Sequence, residues 1–377
     1  MDPLIQSPPL QQPLATGISH VNIPVESLPS RNTTNEKRYM VLLAINYMSL
    51  FVGSLASSLL AKFYFIHNGS SRWVSTLIQS VGFPILILPI LIPYFFNLTS
   101  RKPFKKFTIK LFIFSILIGL LTGLSNFLIS WGTSYLPVST SSLLLSTQMV
   151  FTLISTSLIV KQKITFNNLN CVILLTISSV LLAVISNHDR PAGITKGMYF
   201  VGYFCTIGAG LLFALYLPLL EKIYREVYCY AMVMEMQLVV QMAATVFAVI
   251  GMASGGGFRE MSRESESVFD LGPRMYWLTI TANVISWQLC FLGTAGMVFL
   301  TTSFTGGVCS TALLAMNVLG GVIVYGDHFG GVKAVSTVLC MWGFCSYVYG
   351  LFMDRKKDKE KVGDCEKIVL LTTSSGS

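Results

Sequence analysis

Amide side chains and indole rings recur at helical spacing inside long apolar stretches of this 377-residue sequence. Residues four apart share one face of a helix, so such a pair can converge on one site. Three pairs have this spacing: Asn126 and Ser130, Gln237 and Gln241, and Asn283 and Trp287. Because lipid penalises polar groups, we expect these faces to point towards the protein interior.

These residue types suit recognition of a flat, uncharged ring. An indole or phenol can stack on a heterocycle, and Asn or Gln can donate and accept hydrogen bonds along its edge. A phosphate-bearing solute would require Lys or Arg in the cavity, and most apolar stretches have none in mid-segment. This reasoning gives the candidate substrate-binding residues Trp73, Gln79, Asn126, Tyr135, Gln148, Asn283 and Trp287.

Structural interpretations of the same residues stay open. Trp73 lies near a segment end, where it could equally anchor a helix at the lipid interface, whereas Trp287 is mid-segment, which favours an interior role. Glu235 is the one carboxylate well inside an apolar run, so it is the candidate proton-coupling residue. The alternative is a glutamate in the first or second helical turn that remains close to water.

The elements that position these residues are membrane helices. Only 11% of the residues are charged, whereas soluble domains carry roughly 25%. Ten apolar segments approach the length of roughly 20 residues that a helix needs to cross a bilayer. The predicted spans are 39–64, 73–96, 108–130, 136–160, 167–187, 197–220, 229–252, 275–298, 303–325 and 332–353. The sequence therefore predicts an all-α membrane protein with ten transmembrane helices.

The Lys and Arg distribution predicts orientation. Eighteen of these 26 residues lie on the side of both tails, and cytosolic loops carry such an excess. We therefore expect both termini in the cytosol, with residues 1–38 as a disordered N-tail and 354–377 as a C-tail. The external loop 254–274 is expected to be flexible and solvated.

An internal repeat is predicted to divide the membrane region. The fourth and fifth segments resemble the ninth and tenth, although any two apolar hairpins look somewhat alike. Two halves of five spans must insert with opposite orientation, because five is odd. Inverted repeats are typical of secondary transporters with a site at the midplane, and the halves would cover 39–190 and 191–353.

Other functional classes find little support. The net charge is +9, but the basic residues border apolar runs, so no nucleic-acid partner is predicted. The eight cysteines form no CxxC pair and the four histidines lie in tails or links. We therefore predict no metal, no cofactor and no catalytic residue. The sequence does not determine the oligomeric state.

Three motifs resemble the plant purine permease family, within the drug/metabolite transporter superfamily. They are RWVSTLIQSVGFP at 72–84, SYLPVSTSSLLLSTQMVF at 134–151 and VSTVLCMWGFCSYVYG at 335–350. The resemblance implies the drug/metabolite transporter fold, with ten helices in two inverted halves. It also implies proton-coupled uptake of adenine-like bases, cytokinins and related alkaloids. The family's motif positions fall on Trp73, Gln79, Asn126, Tyr135, Pro137, Ser139, Thr140, Gln148 and Glu235, which adds Thr140 to the candidates.

The chain departs from this resemblance in the link 325–328, which reads Tyr-Gly-Asp-His where many relatives have an acidic pair. The leading hypothesis is a proton-driven importer in the plasma membrane, with a small heterocyclic substrate and a proton as partners. The alternative is an exchanger of nucleotide sugars, organic phosphates or amino acids on the same fold. A membrane-embedded enzyme is a weaker alternative, because His clusters and paired carboxylates are absent from the spans.

Replacement of Glu235 by glutamine tests the coupling hypothesis. If its carboxyl group carries the proton, Glu235→Gln abolishes uphill uptake but leaves exchange of substrate across the membrane intact. The measurement compares accumulation of labelled substrate under a pH gradient with counterflow in its absence. Unimpaired uphill uptake by the variant would refute the role.

Overall fold

The structure is a computed structural model that describes residues 33–96, 101–145, 148–162, 165–185, 194–326, 329–350 and 353. All regular elements in these ranges are helical. They are α1 Thr33–Ile66, α2 Arg72–Ser80, α3 Ile87–Phe95, α4 Ile109–Tyr135, α5 Val138–Leu145, α6 Gln148–Ile159, α7 Phe166–Ile185, α8 Lys196–Tyr224, α9 Tyr230–Ser254, α10 Gly257–Arg263, α11 Gly272–Leu300, α12 Ser303–Tyr325 and α13 Gly331–Gly350.

The all-α membrane class is confirmed. Within the described ranges, eight segments are long and apolar enough to cross a bilayer, and they coincide with predicted spans one to three and six to ten. The fourth predicted span falls on the short helices α5 and α6, and the fifth falls on α7. Ten crossings and the two inverted halves therefore stay predictions.

The two ends of the chain mostly lie outside the described residues, as does Asp327-His328 of the link that departs from the family pattern. Helix α1 begins at Thr33, within the stretch that was predicted to be a disordered tail. Glu36, Lys37 and Arg38 are good helix formers, so the first turns extend beyond the apolar run.

The second predicted span is broken near its middle. Helix α2 ends at Ser80, a short 3₁₀ segment covers Phe83–Leu86, and α3 follows. Pro84 lacks the backbone N–H that would continue the α-helical ladder. The break leaves α2 as a nine-residue helix that runs from the predicted external surface into the bundle.

Glycines allow the two predicted halves to pack closely. Helices α1 and α11 cross where a Cβ on Gly53 would lie 2.3 Å from the backbone N of Cys290. On the facing helix, a Cβ on Gly293 would lie 2.5 Å from the backbone N of Leu50. Small residues are the usual means by which membrane helices approach one another. Only glycine fits at these two positions without movement of the backbone.

The region 254–274, predicted to be a flexible, solvated loop, is exposed at most positions but has regular structure. It contains α10 and a π-helical turn, Glu264–Val268, before α11 begins. The Glu264 side chain is buried, and Met261 and Phe269 pack against the outer ends of α1 and α2. The polar composition of the region predicted exposure, but the buried contacts of Glu264 come from distant helices.

Substitution of Gly293 tests the close crossing. We expect Gly293→Ala to destabilise the protein by about 1–3 kcal/mol, because the added methyl group meets backbone atoms that cannot rotate away. Thermal unfolding of purified protein in detergent measures the effect. The matched control is Gly197→Ala, because a Cβ there meets nothing within 4 Å. Equal Tm values for the two variants would contradict the packing argument.

Candidate substrate-binding cavity

A cavity of about 120 Å³ lies between eight helices of the bundle. On this scale one water needs roughly 10–15 Å³, so the space accommodates a small bicyclic molecule. Among the described residues of its wall, none carries a charged side chain. The polar wall residues are Ser54, Ser57, Ser58, Ser75, Gln79, Thr133, Ser141, Gln148, Thr294, Ser310 and Asn317. The cavity therefore offers hydroxyl and amide groups in an otherwise apolar setting.

Gln79 is part of this cavity wall, and hydrogen bonds fix the orientation of its amide. Its Nε2 donates to the backbone oxygens of Ser75 at 3.2 Å and Asn126 at 3.1 Å, and to Ser130 Oγ at 3.0 Å. Backbone carbonyls only accept, so the nitrogen must face them. Gln79 Oε1 is buried and has no protein partner. An N–H group of a ligand would satisfy it.

The cavity wall includes an amide that the sequence reasoning missed. Asn317 Nδ2 donates to Ser58 Oγ at 2.9 Å and lies 3.4 Å from Ser54 Oγ. Its Oδ1 is buried without a partner, as is Ser310 Oγ on the same helix. The signal was available, because Asn317 lies within the predicted span 303–325. No other Asn or Gln lies three or four residues from Asn317, so the search for amide pairs at helical spacing did not identify it.

Gln148 and Trp287 complete the wall. Gln148 Nε2 donates to Thr311 Oγ1 at 3.3 Å, which joins α6 to α12. Trp287 stacks against Phe291 with ring centroids 5.6 Å apart. Its indole also borders a second cavity of about 50 Å³, where Asn126 is part of the wall. Asn126 Nδ2 is buried and unpartnered, so the wall of each cavity includes an amide residue with an unsatisfied atom.

Trp73 and Tyr135 do not reach the cavity wall. Trp73 stacks on Phe127 at 4.2 Å between ring centroids and fills the space above Gly251. The Arg72 guanidinium donates to the Tyr135 hydroxyl at 2.6 Å and lies 4.7 Å from the centre of its ring. Both aromatic side chains therefore pack the outer part of the bundle.

Thr140 and Asn283 are buried, but they too lie away from the cavity wall. The Thr140 hydroxyl and Asn283 Oδ1 have no hydrogen-bond partner. Of the eight candidate residues, the structure brings Gln79, Gln148 and Trp287 together around one space and places Asn126 in its neighbour.

Glu235 is buried in the second turn of α9, apart from both cavities. Its Oε2 accepts a hydrogen bond at 2.9 Å from Arg101 Nη2, in the link between α3 and α4. Its place in the helix agrees with the alternative interpretation, in which Glu235 lies in the first or second helical turn. It is shielded from water, however, and it pairs with a cation from a distant part of the chain.

Comparison with known proteins decides the family. Residues 41–357 match the family described as purine nucleobase transmembrane transport. The chain belongs to the purine permease family. It is 65% identical over 302 residues to the probable purine permease 4 of Arabidopsis thaliana, covering 80% of this chain and 79% of that protein. It is 33% identical to purine permease 3 of the same plant, covering 82% and 90% of the two chains.

Membership establishes the general class of the protein. Relatives are permeases, so this member of the purine permease family is an integral membrane transporter and not an enzyme. The resemblance seen in the three motifs is thereby confirmed. One crystal structure matches with a TM-score of 0.51 at 16% identity, covering 81% of this chain and 97% of that one, which bears on the fold alone.

Asn317 can be tested against a matched amide. Asn317→Ala removes an unpartnered acceptor from the cavity, so we expect the KM for labelled adenine uptake to rise roughly 2- to 10-fold, as for one lost hydrogen bond. Asn170→Ala is the control, because Asn170 makes a similar amide-to-serine bond, at 3.2 Å to Ser346, away from the cavity. The same KM change in both variants would remove Asn317 from the site.

Proposed function

We propose that this permease is a secondary active carrier that imports purine bases and purine derivatives together with a proton. Adenine, cytokinins and related heterocyclic alkaloids are the proposed cargo. The observation that carries the proposal is the composition of the cavity wall. Its described residues supply amides, hydroxyls and an indole without a charged side chain, which suits an uncharged planar ring.

Recognition would use the wall from three directions. A purine could stack against Trp287, and stacking of a base on an aromatic side chain contributes roughly 1–3 kcal/mol. Gln79 Oε1 would accept from a ring N–H or an exocyclic amino group. Asn317, also part of the wall, would pair with another edge of the ring, since an amide can donate and accept there. The two amides together would favour a ligand with polar groups on two of its edges.

The distribution of cations disfavours an exchanger of nucleotide sugars or organic phosphates. Such anions are recognised by Lys or Arg. The nearby cations Lys62 and Arg72 are not part of the cavity wall. Lys62 Nζ donates to the backbone oxygen of Leu136 at 3.3 Å, and Arg72 is held by Ser134 and Tyr135. A phosphate in the cavity would therefore lack a counter-charge.

Coupling to protons and alternating access complete the proposal. The two halves would rock about the cavity, and Glu235 would carry the proton. The ion pair with Arg101 suggests a control that separates coupling from structure. Arg101→Gln breaks the same pair but keeps the carboxyl group, so uphill uptake should survive in Arg101→Gln and fail in Glu235→Gln. Loss of uptake in both variants would assign Glu235 a structural role instead.

We propose the plasma membrane as the location, and the charge distribution supports both termini in the cytosol. Extracellular substrate would then enter from the side on which α1 ends and α2 begins. Several wall residues, among them Ala61, Ser75 and Thr133, lie in the parts of their helices near that side. In this orientation the cavity could receive solute from outside the cell.

Uptake into proteoliposomes tests the function. We expect labelled adenine and a labelled cytokinin to accumulate at acid external pH, and a protonophore to abolish accumulation. Unlabelled adenine should compete and sugar phosphates should not. Gln79→Leu should weaken uptake, whereas Gln241→Leu should not, because Gln241 is a buried amide of α9 that belongs to neither cavity wall. Displacement of adenine by sugar phosphates, or accumulation that ignores the protonophore, would contradict the proposal.

A further inference from the structure

A buried carboxylate lies in the predicted external loop, where no cavity residue contacts it. Glu264 belongs to the π-helical turn that follows α10, and its side chain is fully buried. Among the described residues, no Lys, Arg or His forms an ion pair with it. A buried charge without a counter-charge is costly unless hydrogen bonds satisfy it.

Five hydrogen bonds satisfy this carboxylate. Oε1 accepts from the backbone N–H of Ser70 at 2.8 Å, from Ser70 Oγ at 2.9 Å and from the backbone N–H of Ser71 at 2.8 Å. Oε2 accepts from the Tyr64 hydroxyl at 2.6 Å and from the Tyr276 hydroxyl at 3.3 Å. All of these donors are neutral groups. The stabilisation of the carboxylate therefore depends on its two oxygens accepting hydrogen bonds from several elements at once.

The donors belong to both predicted halves of the chain. Tyr64 is at the end of α1, and Ser70 and Ser71 form the link into α2. Tyr276 is near the start of α11, in the second half with Glu264 itself. The carboxylate therefore ties the outer ends of α1, α2 and α11 into one unit. It connects the halves at a point where the sequence indicated only a loop.

These hydrogen bonds affect the cavity wall, because α2, which carries Gln79, is short. Ser71 is its N-cap, the break before Pro84 follows its last turn, and Gln79 lies near its C-terminal end. The distance along the helix from Ser71 to Gln79 is roughly 12 Å at 1.5 Å per residue. Six of the nine residues of α2 are buried, and the helix contacts α4, α9 and α11, so its packing and its N-terminal anchor together determine where its last turn points.

We propose that Glu264 is a positioning residue for transport: it holds the N-terminus of α2 so that the Gln79 amide faces the substrate cavity. This inference rests on the proposed function, in which Gln79 binds the substrate. Glu264 acts through α2 and does not touch the cargo. Its loss should therefore weaken substrate binding while the maximal rate changes little.

The test compares two Glu264 variants by adenine uptake in proteoliposomes. Glu264→Ala removes the acceptor of the Ser70 N–H and leaves the Ser71 N–H only its longer bond to the Tyr64 hydroxyl at 3.2 Å, so KM should rise roughly tenfold. Glu264→Gln should restore a KM within about twofold of the unaltered protein, since Oε1 can still accept from Ser70 and Ser71 and the amide N–H can donate to Tyr64. A general loss of structure would not be rescued in this way.

Asp270→Asn is the matched control. Asp270 is an acidic residue of the same loop that reaches the end of α1, where it pairs with His67 at 2.9 Å, but the pair is exposed. Exposed pairs contribute little, so KM should not change. If Glu264→Ala yields too little folded protein, Tyr64→Phe takes its place. That variant removes one donor to the carboxylate, and KM should rise roughly twofold.

The outcomes separate the two proposals. Suppose that the unaltered protein takes up adenine and that KM is unchanged in Glu264→Ala, or in Tyr64→Phe where that variant replaces it. This result overturns the positioning role alone. A tenfold rise in Glu264→Ala that glutamine fails to rescue also overturns it. Absence of adenine uptake by the unaltered protein overturns the proposed function, and the positioning role with it.

Discussion

The cost of an unpartnered polar group in hydrocarbon governs this structure. Backbone groups meet the requirement by forming helices. Many hydroxyls meet it locally, as Ser115, Thr122 and Thr245 do by donating to the carbonyl oxygen four residues earlier. Amides and carboxylates have more hydrogen-bonding atoms than one helix can satisfy. They must find partners on other helices or on a ligand.

Gln79 and Glu264 show the two results of that requirement. Glu264 is a buried charge whose oxygens are both occupied by protein donors, so it serves structure. Gln79 belongs to the cavity wall; its nitrogen has protein acceptors and its oxygen has no protein partner. Glu264 thus holds helices together, whereas Gln79 keeps an acceptor that a ligand in the cavity could use. It also makes recognition directional, because the carbonyls around Gln79 prevent its amide from turning over.

Some of the candidate residues lie at the cavity and others do not. Gln79, Gln148 and Trp287 are part of its wall, and Asn126 is part of the wall of the second cavity. Asn317 and the Ser54–Ser58 turn of α1 were not among the candidates, although they too line the first cavity. Helical periodicity identifies which residues share a face. It carries no information about which faces of other helices oppose them.

Composition and spacing alone determined that this chain is an all-helical membrane transporter, and three motifs pointed to its family. These properties follow from lengths and charges along the chain, which lipid constrains strongly. The tertiary structure decided that Trp73 packs on Phe127, that Glu235 pairs with Arg101 and that Glu264 joins three helices. Each of these contacts joins residues that are far apart in sequence. A one-dimensional pattern shows that a buried polar group needs a partner, but only the packed bundle selects that partner.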